Sequence, residues 1–187
     1  MSQPTRQPTN PSALRAATAT AAPGATAVSD DFRTMMSGFP SGVAVIAAED
    51  LDGEPRGMTC SSVCSVALKP PTLLVCLREG SPTLQAVLAS GEFAVNLLHE
   101  EAQGVAELFA SGDPERFRVT PWRRAADDAG PHLLRDAHTI ADCTVAVTQR
   151  MGDHVTVYGR VRAVTRLSGR PPLLYGLRRF AAWPATT

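Results

Sequence analysis

Apolar residues recur along this chain in short runs separated by turn-forming residues, and their spacing switches between helical and alternating. Phe32, Met35 and Met36 fall at i, i+3 and i+4. That spacing predicts one face of a helix, which Ser29 or Asp30 can cap and Gly38 stops. Residues 42–47 are a near-continuous apolar strand. The Asp52-Gly53 turn then folds the chain back as a hairpin into residues 56–71. Pro70-Pro71 blocks a helix and leads into residues 73–77, a run that predicts a strand buried on both faces. Ser81 reads as an N-cap and Pro82 as the first residue of a short helix, with Leu84, Val87 and Leu88 as its buried face and Gly91 as its stop. Residues 93–98 form another strand. Residues 103–110 return to helical spacing, with Val105, Leu108 and Phe109 on one side.

Residues 113–139 are polar and irregular, with Arg116, Phe117, Trp122, Pro131 and His132 as the residues expected to be anchored. A loop of that length in a compact domain is usually functional or partner-facing. Two alternating segments follow. In one, Cys143, Val145 and Val147 alternate with Thr144, Ala146 and Thr148; in the other, Val155, Val157 and Val161 alternate with Thr156, Tyr158 and Arg160. Met151-Gly152-Asp153-His154 joins them as a hairpin. Hairpin-like links between most strands, with about three short helices, predict a mainly β fold. The arrangement is an antiparallel barrel with short flanking helices, in preference to a parallel α/β sheet.

Residues 1–28 alter this picture by subtraction. They are mostly Pro, Ala, Thr, Ser, Gln and Arg, with no aromatic residue and only Leu14 and Val28 as larger aliphatics, too little apolar surface to offset ordering entropy. A disordered tail over 1–28 and one folded domain over 29–187 are expected. The tail lacks the apolar core of a secretory signal, and no run approaches the ~20 apolar residues of a membrane span. The net charge of +0 argues against nucleic acid or an anionic membrane as partner. Cys60, Cys64, Cys76 and Cys143 are scattered, which suits reduced thiols in a cytoplasmic protein. Cys60-x-x-x-Cys64 has no second close pair to complete a zinc site, so no metal is expected.

Candidate chemistry lies in three places. Residues 56–71 are rich in small and hydroxyl side chains (Gly57, Thr59, Ser61, Ser62, Ser65), which let a ligand approach the backbone and find hydrogen bonds; the plain alternative is a Ser-rich turn. Ser81-Pro82-Thr83 opens a helix, where free N–H groups and the dipole favour a phosphate; the alternative is an ordinary cap. Gly152-Asp153-His154 places an imidazole at a hairpin, as a ligand contact or a solvated turn residue. No Gly-x-Gly-x-x-Gly or Walker loop is present, so a nucleotide would be held some other way.

Six stretches in order resemble one family, the flavin reductase domain of two-component flavin-dependent monooxygenases. They are Phe32-Arg33 through Met36-Ser37 to Phe39-Pro40-Ser41-Gly42-Val43; Arg56-Gly57-Met58-Thr59-Cys60-Ser61-Ser62-Val63-Cys64-Ser65-Val66 with Pro70-Pro71; Ser81-x-Thr83; residues 93–98; Gly152-Asp153-His154 with Val157-x-Gly159-x-Val161; and Pro172-Leu173-Leu174-Tyr175. The resemblance implies an antiparallel Greek-key split β-barrel of the FMN-binding type, usually a homodimer with flavin near the subunit interface. It implies oxidation of NADH or NADPH, reduction of FMN or FAD, and release of reduced flavin by diffusion to a partner monooxygenase. It assigns flavin contacts to Gly42, Val43, Met58, Thr59, Cys60, Ser61 and Ser62, and the phosphate end to Ser65, Ser81 and Thr83. It puts His154 on the nicotinamide side as the catalytic residue, with Tyr175 and Arg178 toward the nucleotide. Cys60 and Cys64 act as small packing residues. Phe180 stands where the family often has Tyr, a departure at the C-terminal nicotinamide contacts. Hydride transfer to a flavin is chiefly an orientation problem, in keeping with a chain that offers no triad or carboxylate pair. The rival readings are a flavin-binding barrel without reductase activity, a flavin-dependent oxidase on the same barrel, and an interaction module using residues 113–139.

Overall fold

The computed structural model describes residues 25–184, so most of the expected tail lies outside the described residues. Helix α1 (Ala25–Ser37) starts ahead of the expected cap at Ser29. By contacts the chain divides into one unit up to Met35 and a second from Met36 onward. In the first, Phe32 and Met35 are exposed. The second holds every strand: β1 (Ser41–Gly42), β2 (Ala44–Glu49), β3 (Pro55–Cys60), β4 (Val63–Leu68), β5 (Pro71–Arg78), β6 (Glu92–Leu98), β7 (Ala137–Met151), β8 (His154–Arg166), β9 (Leu173–Gly176) and β10 (Arg179–Ala182). Between them lie helices α2 (Pro82–Ser90), α3 (Gln103–Ser111) and α4 (Arg116–Val119).

All strand pairs are antiparallel. The main sheet has the order β3-β2-β6-β7-β8-β5-β4. Its two edge strands, β3 and β4, are consecutive in sequence and joined by Ser61-Ser62 alone. A sheet whose edges share so short a link has to curl round on itself, as in a barrel. The Cys76 N–H of β5 donates to the Ser62 carbonyl at 3.2 Å, which draws the seam together. A smaller sheet, β1-β9-β10, stands beside it. Its hairpin turns at Leu177 (φ 51°) and Arg178 (φ 60°), two non-glycine residues in the left-handed region.

The core explains which strand is continuously apolar. Ala44, Ile46 and Ala48 of β2 point into one cluster with Val75, Leu77, Val87, Phe93 and Val157. Val43, Val45 and Ala47 point into another with Ala106, Phe109, Phe117 and Leu133. β2 is therefore buried on both faces. The same was expected of residues 73–77, but there only Val75 and Leu77 are buried; Leu74 and Cys76 face a side that nothing fully covers. α2 differs in phase from the expected face: Thr83, Leu84, Ala86 and Val87 are buried and Leu88 is exposed.

Residues 113–139 are not a free loop. They contain α4 and an Arg123–His132 bridge, and they strap across β2, β6 and β7. Asn96 on β6 holds the strap from within. Its Nδ2 donates to the carbonyls of Val45 (3.2 Å) and Pro131 (3.1 Å), and its Oδ1 accepts from Leu133 N–H (2.8 Å). Gly130 lies so close to β2 that a Cβ there would sit 2.5 Å from the Ala47 carbonyl oxygen. The expectation of a partner-facing loop yields to this packing. Among the described residues no helix is long and apolar enough to cross a membrane.

Candidate functional site

The hydroxyl-rich β3 and the C-terminal half of α3 form a seam. Thr59 fastens it, its hydroxyl donating to the Ala106 carbonyl at 2.6 Å. That bond uses the Thr59 proton, so toward a ligand the hydroxyl can only accept. A cavity opens on either side of the seam, and the two share Thr59, Ala110 and Ser111 in their walls.

The first cavity, about 480 Å³, is lined by Val43, Thr59, Ser61, Tyr175 and Phe180, with Glu107 at its edge. Tyr175 and Phe180 face each other across the β9–β10 hairpin with ring centroids 5.1 Å apart and planes tilted by 58°. Aromatic and apolar walls with a few hydroxyls suit a flat, largely apolar ligand.

The second cavity, about 440 Å³, is lined by Gly57, Met58 and Thr59 of β3, the Arg78–Pro82 corner, Thr83, the end of α3 and Arg116. Its chemistry is different. Ser81 caps α2, its Oγ accepting from Leu84 N–H at 3.2 Å, while Gln85 N–H bonds the Ser81 carbonyl. Pro82 has no N–H, so the Thr83 N–H is left at the positive end of the helix dipole. Thr83 is 1% exposed, and among the described residues its hydroxyl has no hydrogen-bond partner. Gly57 is close-packed: a Cβ there would meet the Phe117 ring at 2.8 Å. The Phe117 ring also packs edge-on against Phe109, centroids 5.0 Å apart, which fixes the wall behind β3.

The structure thus gathers Val43, Thr59, Ser61 and Tyr175 on one cavity and Met58, Thr59, Ser81 and Thr83 on the other. Other expected residues lie elsewhere. The Cys60 side chain turns into the core, where burial pushes its thiol up to about 11. Ser62 is exposed, its carbonyl taken by β5. Ser65 lies opposite Leu73, beside an apolar groove with Val63 and Val161 and away from the expected phosphate end; a bulge follows it in β4. Gly42 and Arg178 are exposed, Arg178 at the tip of its turn. His154 is half-buried and lines neither cavity. Its Nδ1 meets Asp153 Oδ1 at 2.9 Å, and that hydrogen bond holds the Asp153 carboxyl below its usual range. The hairpin nonetheless leans on the second cavity's wall: His154 pairs with Arg78, Glu79 N–H donates to the Asp153 carbonyl at 2.8 Å, and Glu79 is ion-paired to Arg150.

Sequence reasoning missed Glu107, Ala110 and Ser111, which carry no motif and reach the cavities only because α3 packs on β3. Phe180 appeared only as a departure from pattern and Arg116 only as an anchored residue.

Comparison with known proteins gives this geometry a context. The model of the flavin reductase like domain matches residues 36–184. The flavin reductase (NADPH) of Lentzea aerocolonigenes is 48% identical over 161 residues, covering 86% of this chain and 94% of that protein. The flavin reductase (NADH) of Kitasatospora aureofaciens is 40% identical, covering 83% and 82%. Among solved structures, the NADH:FAD oxidoreductase SgcE6 of Streptomyces globisporus C-1027, in complex with NAD and FAD fragments, superposes with a TM-score of 0.77 at 28% identity. That match covers 89% of this chain and 98% of that one.

Proposed function

The chain belongs to the flavin reductase like family, and on that premise we propose that it is an NAD(P)H:flavin oxidoreductase that reduces FMN or FAD and supplies reduced flavin to a flavin-dependent monooxygenase. The observation that carries this reading is the pair of cavities meeting at Thr59, one aromatic and apolar, the other facing a helix N-terminus. These residues fit a flavin nucleotide. Val43, Tyr175 and Phe180 offer walls for a planar ring, and the unpartnered Thr83 hydroxyl and the start of α2 suit a phosphate. When bound, the flavin accepts a hydride from NAD(P)H.

The chain's own part is to bind, orient and exclude water. The Tyr175–Phe180 pair and Val43 hold the ring plane, while Ser61 and the Thr59 oxygen fix its edge. Ser81 and Thr83 hold the phosphate end. His154, on the hairpin braced against Arg78 and Glu79, contacts the nicotinamide side. No proton transfer by a side chain is required for the hydride step.

The working form in this reading is a cytoplasmic homodimer that releases reduced flavin by diffusion. Support for the dimer is the edge strand β4, where Cys64, Ser65, Val66 and Leu68 are exposed beside an apolar groove of about 320 Å³ that includes Val63, Leu73 and Val164. A second copy on that face would shield these side chains from water. The four free cysteines suit a reducing compartment.

The test is steady-state oxidation of NADH and NADPH by purified protein with FMN, FAD or no flavin added. Turnover that depends on added flavin is expected. Flavin binding with no oxidation of either nicotinamide would make the protein a flavin carrier instead.

A further inference from the structure

We propose that Arg116 reads the phosphate ester of the bound flavin nucleotide, from the wall of the second cavity that faces the start of α2. The inference rests on the reductase reading and adds a specificity residue to it.

Arg116 is held in place by backbone. Its Nε donates to the Gly57 carbonyl at 2.9 Å and its Nη1 to the Asp113 carbonyl at 2.6 Å. Gly57 belongs to β3 and Asp113 to the turn after α3, so two elements of the cavity wall fix one guanidinium. Among the described residues the Nη2 donors have no protein partner.

No carboxylate is salt-bridged to Arg116 among the described residues, whereas Arg56, Arg118, Arg150 and Arg162 each have one. The Asp113 carboxylate is turned to Glu115 N–H at 2.8 Å. Glu79, the acid in the same cavity wall, is ion-paired to Arg150. Burial and then the charge of nearby Arg56 push the Arg116 pKa down from its usual value, against a smaller opposing pull from the Asp113 carboxylate. Arg116 stays protonated all the same.

A half-buried, pre-oriented guanidinium with free donors is a fork for two oxygens of one anion. The cavity holds a second, independent sign of such an anion in Thr83, a residue 1% exposed whose hydroxyl makes no hydrogen bond among the described residues. Arg78 adds positive charge to the same wall. Donors and positive charge from β3's neighbours, α2 and α4 therefore converge on one space, while the aromatic walls lie on the other side of Thr59. The shared chemistry is a phosphate ester, which the flavin and the nicotinamide dinucleotide both carry. The flavin is favoured because this cavity opens from the same Thr59 seam as the ring-shaped one.

The test is Arg116→Gln in the full chain, with dissociation constants for riboflavin, FMN and FAD from flavin fluorescence and KM for NADH and NADPH. FMN and FAD should bind roughly 10–100-fold more weakly, the range for losing a hydrogen bond to a charged group. Riboflavin, which has no phosphate, should bind as in the wild type and so also reports that the fold is intact. Equal losses for all three flavins would overturn the proposal in favour of a structural role. A change confined to the KM of NADH or NADPH would overturn it in favour of the nicotinamide nucleotide. Arg116→Lys keeps the charge without the fork and serves if the Gln variant does not fold. A preference for FMN over riboflavin that falls in the Lys variant supports the proposal, and an unchanged preference overturns the fork. Wild-type protein that binds no flavin would defeat the reductase reading itself, whereas wild-type binding with an unaltered Gln variant defeats only the role of Arg116.

Discussion

His132 Nε2 lies 2.9 Å from Asp142 Oδ1, with the imidazole side chain 1% exposed. The other ring nitrogen faces Asp128 Oδ2 at 3.5 Å and makes no hydrogen bond. The two nitrogens thus address two different carboxylates, which makes the trio a clamp between strap and β7. Asp142 also accepts from Ala129 N–H at 2.7 Å. Burial pushes the Asp142 carboxyl up, but the hydrogen bonds from His132 and Ala129 outweigh it and hold the group below its usual range. A carboxyl whose pKa is lower folded than unfolded contributes stability above its ordinary value near ~4 and loses it as pH falls through the folded value. Asp142→Asn should therefore destabilise the protein by roughly 1–3 kcal/mol near neutrality, the range for weakening hydrogen bonds to a charged buried group. The gap from wild type should narrow below about pH 4. Thermal melts across a pH series check this; a gap constant down to acid pH would deny Asp142 its linkage.

The phosphate assignment makes a separate demand on α2. Replacing both Ser81 and Thr83 with Ala should weaken FMN by about tenfold or more while leaving riboflavin nearly unchanged. Ser81 also caps α2, so the double variant should lose about 1 kcal/mol of stability as well. Parallel titrations with the two flavins separate the effects, since loss of the cap alone lowers both affinities together.

His154→Ala should raise the KM for NADH or NADPH several-fold, on the order of 1 kcal/mol of lost contact, without changing flavin affinity. Steady-state kinetics at saturating flavin provide the measurement. Unchanged nicotinamide kinetics would confine His154 to its hydrogen bond with Asp153.

The β9–β10 turn carries conformational strain that its sequence does not relieve. Left-handed backbone costs an ordinary residue about 1–2 kcal/mol, and Leu177 and Arg178 both adopt it. The double variant Leu177→Asn, Arg178→Gly should raise the melting temperature, since Asn-Gly is the favoured pair for such a turn. Its KM for NAD(P)H reads the role of Arg178 at the same time: an increase supports a nucleotide contact, and a stabilised variant with wild-type kinetics removes it.

Local signals accounted for what was legible beforehand. The Ser81-Pro82 cap, the Gly152-Asp153 turn and the alternation through β7 and β8 each sit within a few residues, and each element formed where they pointed. The start of α1 was not legible, because Ser29 and Asp30, the residues whose type suits a cap, lie inside the helix. The strap was misread because its anchors, Asn96 and Asp142, belong to strands outside the polar run they hold down. Ser65 was misplaced for a related reason. Its hydroxyl suggested the ligand, but strand pairing with Leu73 put it beside an apolar groove. Arg116 and Glu107 reach the cavity walls only through packing between elements, which no spacing along the chain encodes.

Because Ser61 lines the first cavity and Ser61-Ser62 is the chain link between the sheet's two edge strands, occupancy of that cavity and integrity of the barrel would be tied together. A ligand resting against β3 acts as a clasp over the hoop's joint, and it should slow the opening of that joint more than any other motion of the sheet. Amide hydrogens of β3 and β4 would then exchange more slowly with flavin present, while those of the distant β7–β8 ribbon would keep their pace. Emptying the site on release of product would loosen the same joint, so each turnover would carry a brief relaxation of the wall that next has to receive a flavin.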